Sequence, residues 1–211
     1  MRKRLFFLLL MFNIVFAYNN PMIFHFSNIK KSLEYKKANY LVKREVNDFL
    51  DLSDNQIETL FWVYKKAAPY DLSYTLTAIA WQESLGGYIP INLFDRPWGS
   101  CGLFHANLKS VVERHPELKL GRYPSKFQLN KLCAELIHNK NFALKEAIKE
   151  IFYWKKIFKG NWIKIWAAYN AGWNWKTSGI SYARNIALKI KALKIIVNYA
   201  GWNDIINNNY Y

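Results

Sequence analysis

Helical periodicity is the feature of this sequence that most restricts its fold. In one segment after another, apolar residues recur every three or four positions, as at Ile57, Leu60, Phe61 and Tyr64, which is the spacing of a helix with one face in a core. No convincing run alternates apolar and polar residues as a half-buried strand does. The chain has 211 residues, 52% of them apolar, which is enough for one ordinary core. We therefore predict a mainly α-helical single domain.

Local start and stop signals indicate where the helices lie. Ser53 and Gln56 have the spacing of a capping box, so a helix is predicted over 54–67. A second helix starts near Asp71 or Ser73 and stops at Gly86-Gly87. Further helical patterns occupy 107–114, 129–157 (two helices), 162–171 and 181–199. The expected total is about seven to nine helices, with room for a small strand or hairpin near 88–93.

The N-terminus has the pattern of a secretory signal peptide. Three basic residues precede an apolar run from Leu5 to Phe16, and a small residue, Ala17, follows it. An uncleaved membrane anchor is the alternative, although the run is shorter than the ~20 residues that cross a bilayer. We expect cleavage after residue 17, a leading segment or linker at 18–45, the domain at 46–205 and a polar tail at 206–211. The mature protein is then exported, and periplasmic or associated with the cell envelope.

The charge balance points to an anionic partner. The formal net charge is +15, and it falls to +12 when the three basic residues of the leader are removed. Such a protein is attracted to nucleic acid, anionic membrane or an acidic wall polymer. Export argues against nucleic acid as the main partner, and a simply solvated lysine surface is the plainer interpretation.

Cysteine and histidine usage excludes some classes of site. Cys101 and Cys133 could form a disulfide in an oxidising compartment, but the sequence does not show whether their geometry allows it. The four histidines are scattered, and no two have the i, i+4 spacing of a helical metal site. We predict no metal and no cofactor.

Glu83 is the candidate for chemistry. It lies in Ala-Trp-Gln-Glu-Ser, at the end of an apolar stripe formed by Leu76, Ile79 and Ala80. A carboxylate on a buried face is costly unless something uses it. An apolar setting at the C-terminal end of a helix favours the protonated carboxyl, which suits a general acid. An ordinary carboxylate at a helix end, turned to solvent, is the alternative.

Three motifs in order give the sequence a recognisable arrangement. Ala-Trp-Gln-Glu-Ser ends at Ser84, Gly-Ser-Cys-Gly-Leu-Phe-His spans 99–105, and Ala-Ala-Tyr-Asn-Ala-Gly spans 167–172. Together they resemble the soluble lytic transglycosylase domain over roughly 46–197. The resemblance implies a lysozyme-like helical fold and cleavage of the β-1,4 bond between N-acetylmuramic acid and N-acetylglucosamine in peptidoglycan. The product would be a 1,6-anhydro sugar, with Glu83 as the single acid and base, and we expect the enzyme to be a monomer.

The resemblance also implies which residues form the glycan groove. They are Ser84, Ser100, Gly102, His105, Tyr169, Asn170 and Tyr182. Within the groove, the hydroxyl of Tyr169 would orient the catalytic carboxyl, and Gly102 would let the backbone approach the sugar. Plainer roles are open for His105 as a surface residue and for Tyr169 and Tyr182 as core aromatics.

Some positions depart from the family pattern. Ser100 stands where the family has Ala, Phe104 where it has Met, and His105 where it has Gln. Trp173 replaces the usual Pro, and Trp173 and Trp175 are candidates for stacking on sugars or for packing.

Other functions remain open. A two-carboxylate glycosidase needs a second acid, and Asp95 is the only acidic residue in the loop after Glu83. Without it, the acetamido group of the substrate is the expected nucleophile. The nearest alternative is a lysozyme-type muramidase that releases reducing ends. A second is a catalytically weak protein that docks a secretion, conjugation or phage machine on the wall, and a nucleic-acid-binding module ranks third.

Overall fold

Helices dominate the structure, as the periodicity predicts. The computed structural model describes residues 28–92, 98–121 and 124–199, where a small antiparallel sheet accompanies the helices. The mainly α-helical class is therefore confirmed. The predicted signal peptide at 1–17, Asp95 and the predicted tail at 206–211 lie outside the described residues.

The helices follow one another closely along the chain. In order they are α1 Leu33–Lys37, α2 Tyr40–Leu50, α3 Asp54–Ala67, α4 Ser73–Ser84, α5 Leu108–Arg114, α6 Lys126–His138, α7 Lys140–Ile157, α8 Trp162–Ala171 and α9 Ile180–Tyr199. The sheet consists of β1 Ile91–Asn92, β2 Ser100–Cys101 and β3 Ala106–Asn107. The predicted bounds of α3 and α8 coincide with the observed ones.

The described residues divide into two compact units, one formed by those within 28–50 and 192–199 and the other by those within 51–191. In the first unit, α2 buries Val42, Val46 and Phe49 at helical spacing. This helix begins inside the segment expected to be a linker, before Val46. The second unit contains every residue of the candidate site.

The end of α4 is tied to the start of α3, and this tie positions Glu83. Gln56 accepts a hydrogen bond from the Ser53 backbone N–H at 2.9 Å, and its own amide donates to the Leu85 carbonyl at 2.8 Å. Leu85 and Gly86 both have positive φ, 51° and 71°, so the chain turns sharply off the helix. A Cβ on Gly86 would lie 2.8 Å from the Gln56 carbonyl oxygen, which requires glycine there.

Helix α4 is buried on all sides through its middle rather than along one stripe. Thr77 is as inaccessible as Leu76 and Ile79, each with 0% exposure. A helix surrounded by other elements carries apolar or small residues all round. Glu83 lies where this helix leaves the core.

The sheet and a disulfide form the wall next to α4. Strand β2 pairs antiparallel with β1 and with β3, with Cys101 opposite Ile91 and Ser100 opposite Asn107. Cys101 is bonded to Cys133 of α6, which answers the question that the sequence left open. Gly102 follows β2 with φ 81°, and a Cβ there would lie 2.4 Å from the Leu136 carbonyl oxygen of α6. Close approach of the sheet to this helix therefore requires glycine at 102.

Candidate active site

Glu83 enters a cavity from the last turn of α4. Its side chain is 13% exposed, and it lines a cavity of about 810 Å³ together with residues of the sheet and of α5, α7 and α8. The helix that carries this carboxyl is buried through its middle, so it anchors Glu83 in the core. This is the arrangement expected of a site that uses a carboxyl group.

His105 reaches Glu83 from the turn after β2. Its Nδ1 lies 3.2 Å from Glu83 Oε2, and its Nε2 lies 2.8 Å from the Ile89 carbonyl oxygen. Both ring nitrogens therefore face protein atoms, and the side chain is a direct neighbour of the candidate acid. His105 also lines the cavity, and its predicted hydrogen bond to the substrate remains a prediction.

Two tyrosines also lie within electrostatic reach of Glu83. The Tyr169 hydroxyl of α8 donates to the Phe104 carbonyl at 2.9 Å, so its proton is directed to the turn before His105. Burial raises the pKa of Tyr169, and the negative charge of Glu83 raises it further. The hydroxyl oxygen can still accept a hydrogen bond from a protonated carboxyl.

Tyr182 of α9 is the second of these tyrosines. It is buried, and its hydroxyl has no partner at ordinary hydrogen-bond geometry. Burial raises the pKa of Tyr182, and its proximity to Glu83, through charge and hydrogen bonding, raises it further. A buried hydroxyl without a well-formed hydrogen bond is unusual in a packed protein.

A cluster of charged residues forms another wall of the cavity. Glu146 of α7 has a fully buried side chain that accepts hydrogen bonds from Arg114 at 3.0 Å, His115 at 2.7 Å and Lys149 at 2.8 Å. Burial opposes ionisation, but these three donors outweigh it and lower the pKa of Glu146. Arg114 also pairs with Glu150. Glu146 is therefore held as a carboxylate.

Sequence reasoning missed this cluster. Glu146, Lys149 and Glu150 have helical spacing on α7, but nothing in the sequence pairs them with Arg114, 32 residues before Glu146. Only the fold brings them together.

Aromatic side chains border the same cavity. Trp173 is 68% exposed and meets Trp154 edge to face at 5.2 Å, and Tyr153 is 51% exposed beside them. Trp175, the other tryptophan considered for sugar stacking, instead packs edge to face on Phe158 at 5.5 Å. Trp173 is therefore the better placed of the two.

The remaining predicted site residues divide into two groups. Ser100 and Asn170 line the cavity. Ser84 and Gly102 are absent from its described lining, as is Tyr182. Ser84 is fully buried, donates to the Leu103 carbonyl at 2.8 Å and accepts from the Gly87 N–H at 2.9 Å. It joins the end of α4 to the turn that carries His105.

Within 28–92, 98–121 and 124–199, no group of three or more His, Cys, Asp or Glu side chains is arranged to hold a metal ion. In the same ranges, no helix combines the length and apolarity needed to span a bilayer.

Comparison with protein-family models, curated proteins and solved structures finds no match to this chain.

Proposed function

We propose that this protein is an exported peptidoglycan lytic transglycosylase with Glu83 as its acid and base. One observation carries the proposal. The carboxyl of Glu83 enters a cavity of about 810 Å³ that His105 and Tyr169 also line. His105 contacts Glu83, and the Tyr169 hydroxyl donates to the Phe104 carbonyl in the turn before His105. These three residues come from the three motifs that suggested the family.

The chemistry requires one carboxyl that gives and then takes a proton. As an acid, Glu83 protonates the glycosidic oxygen while the acetamido oxygen of the substrate attacks the anomeric carbon and the C1–O4 bond breaks. As a base, the resulting carboxylate accepts the proton of the muramic O6 hydroxyl, which closes on C1 and releases the acetamido oxygen. Tyr169 and Tyr182 suit this cycle as neutral neighbours, because their raised pKa keeps them from adding a charge beside Glu83.

A muramidase is the second candidate, and one observation favours it. Glu146 and Glu150 line the same cavity as Glu83, so carboxylates that can activate water are present. Both are engaged by Arg114, however, and Glu146 also by His115 and Lys149. Glu113 lines the cavity as well, but its side chain is 65% exposed and pairs with Lys109 at 3.8 Å. We therefore favour the reaction that needs no second carboxylate.

Substrate and location follow from features outside the cavity. A net charge of +15 suits a wall polymer that carries carboxylates. The signal-peptide pattern and the Cys101–Cys133 disulfide both suit an oxidising compartment outside the cytoplasm. A weakly active wall-docking component would bind peptidoglycan without cleaving it. Digestion of peptidoglycan distinguishes this role from that of an enzyme.

The test is digestion of purified peptidoglycan by wild type and Glu83→Gln, with mass analysis of the fragments. The amide is nearly isosteric but cannot supply a proton, so turnover should fall about 1,000-fold. Glu58→Gln makes the same exchange at an exposed position of α3, and it should retain wild-type turnover. Wild-type products should lack one water relative to hydrolysis products. Turnover by Glu83→Gln at the wild-type rate would refute the assignment.

A further inference from the structure

His105 has a backbone conformation that needs an explanation. Its φ is 43°, in the left-handed region that disfavours residues with a Cβ, and its N–H donates to the Gly102 carbonyl at 3.1 Å in a tight turn. Strain of this kind persists where the surrounding structure imposes it, and it concentrates at functional sites. Here the strained turn directs the imidazole back toward the end of α4.

The contacts of the ring fix its tautomer. The Ile89 carbonyl can only accept, so the Nε2 atom 2.8 Å away carries a hydrogen and donates it. In the neutral ring Nδ1 therefore carries no hydrogen, and it lies 3.2 Å from Glu83 Oε2. A neutral Nδ1 accepts a proton from the carboxyl, and an imidazolium donates one to the carboxylate. In each of these two singly protonated forms one proton lies between the two groups, whose side chains are only 8% and 13% exposed.

We propose that His105 is a positioning residue that shares one proton with Glu83 and thereby sets the pH range in which Glu83 acts as an acid. This inference rests on the proposed function. In the first step the shared proton passes from Oε2 to the glycosidic oxygen, which keeps the electron pair of the broken C1–O4 bond. Glu83 is then left as a carboxylate and His105 as a neutral imidazole. As O6 bonds to C1, the proton of the O6 hydroxyl passes to Glu83 and His105. The two side chains therefore hold one proton at the start and at the end of each turnover, and no water is consumed.

Other titratable groups in the described structure do not replace His105 in this role. Tyr169 and Tyr182 face the pair from α8 and α9, and burial followed by the charge of Glu83 raises the pKa of both, so they stay neutral. The charged side chains that line the rest of the cavity are Lys109, Glu113, Arg114, Glu146 and Glu150. Side chains of these types keep a constant charge between about pH 6 and 9, whereas imidazole titrates near 6.5.

The direct test is an NMR titration of the His105 ring nitrogens in the full-length protein. In wild type the neutral ring should carry its hydrogen on Nε2. Glu83→Gln removes the carboxylate that stabilises the imidazolium, so the midpoint of the His105 titration should fall by about one pH unit. Glu58→Gln should leave it in place. An unchanged midpoint in Glu83→Gln, or a neutral ring protonated on Nδ1, would overturn the pairing.

The second test uses activity. His105→Gln leaves Glu83 without its titrating partner, so the basic limb of the turnover profile should move down by about one pH unit or more. His138→Gln makes the same exchange at an exposed position of α6 and should not shift it.

The outcomes separate the two proposals. If Glu83→Gln is inactive but His105→Gln has the same basic limb as wild type, the proton sharing between His105 and Glu83 is rejected and the proposed function stands. A fully active Glu83→Gln rejects both. If His105→Gln does not fold, the NMR comparison decides, because it needs no change at position 105.

Discussion

Glu83 and Glu146 line the same cavity from different helices, yet their surroundings suit them to opposite chemistry. Glu146 is the more buried of the two, with a side-chain exposure of 0% against 13%. Three donor side chains nevertheless keep it ionised, since together they lower its pKa. Glu83 meets an imidazole and lies near two tyrosine hydroxyls, all of which can be neutral. The charges of the partners, rather than burial alone, therefore determine that Glu146 is ionised, and no such set of three cationic donors surrounds Glu83 in the described residues.

The largest expected effects come from making the same substitution at both positions. Glu83→Gln should reduce turnover about 1,000-fold and leave the thermal midpoint within about 2 °C, because it removes a proton donor at the edge of the core. Glu146→Gln should destabilise the protein by about 3 kcal/mol, since it leaves Arg114 and Lys149 without their buried partner. For a chain of this size that loss lowers the midpoint by about 10 °C.

Turnover per folded molecule and calorimetry separate the two effects. A large loss of stability in Glu83→Gln, or a large loss of turnover in folded Glu146→Gln, would contradict the division of roles.

The same comparison predicts a pH dependence of stability. The pKa of Glu146 is lowered in the folded state, so Glu146 contributes stability above its unfolded pKa, ordinarily about 4.3, and the contribution is lost as the pH falls through the folded value. The free energy of unfolding should therefore decrease on acidification below about pH 4.5. Denaturant titrations across pH 3–7 measure this decrease. Glu146→Gln should show a shallower decrease, and a slope as steep as that of wild type would contradict the assignment.

A smaller effect is expected at Tyr182. Its hydroxyl has no ordinary hydrogen bond, so Tyr182→Phe should leave stability unchanged or raise it by up to about 1 kcal/mol. Turnover should fall about tenfold, because the hydroxyl can no longer form a hydrogen bond to the Glu83 carboxyl during the reaction. Tyr169→Phe is the matched case, because its hydroxyl bonds the Phe104 carbonyl and its loss should cost about 1 kcal/mol of stability. Lower stability in Tyr182→Phe with full turnover would make this tyrosine a core residue.

The smallest effect concerns the aromatic wall. Trp173→Ala should raise KM about three- to tenfold with little change in the thermal midpoint, because the side chain is 68% exposed and lines the cavity. Tyr88→Ala is the control, since Tyr88 is 74% exposed and absent from the described lining of the cavity. Equal KM values for Trp173→Ala and wild type would remove Trp173 from the groove.

The helices from α3 onward could be predicted from the sequence because their signals are local, whereas α1 and the start of α2 lie in the segment expected to be a linker. The capping box of Ser53 and Gln56 starts α3, and Gly172 follows the end of α8. The strands could not be predicted as well, because two residues cannot show alternation, and only β1 falls in the region where a hairpin was expected.

The candidate site was predictable where motif residues reach the cavity, as Glu83, His105 and Asn170 do. The roles of Ser84 and Gly102 were not predictable, because these motif residues make internal contacts rather than line the cavity. The ion pair between Arg114 and Glu146 was not predictable either, because its members are far apart in the sequence. His105 shows a further limit. Its position was found, but its contact with Glu83 depends on a left-handed turn that the sequence does not specify.

Digestion of peptidoglycan in ¹⁸O-labelled water tests the central claim most directly. If Glu83 is the only carboxyl that takes part in the reaction, O6 of the substrate closes the ring and the released fragments carry no label. Wild-type fragments should therefore be anhydro sugars of unlabelled mass. Fragments with labelled reducing ends would show that a carboxylate activates water, and would contradict the account.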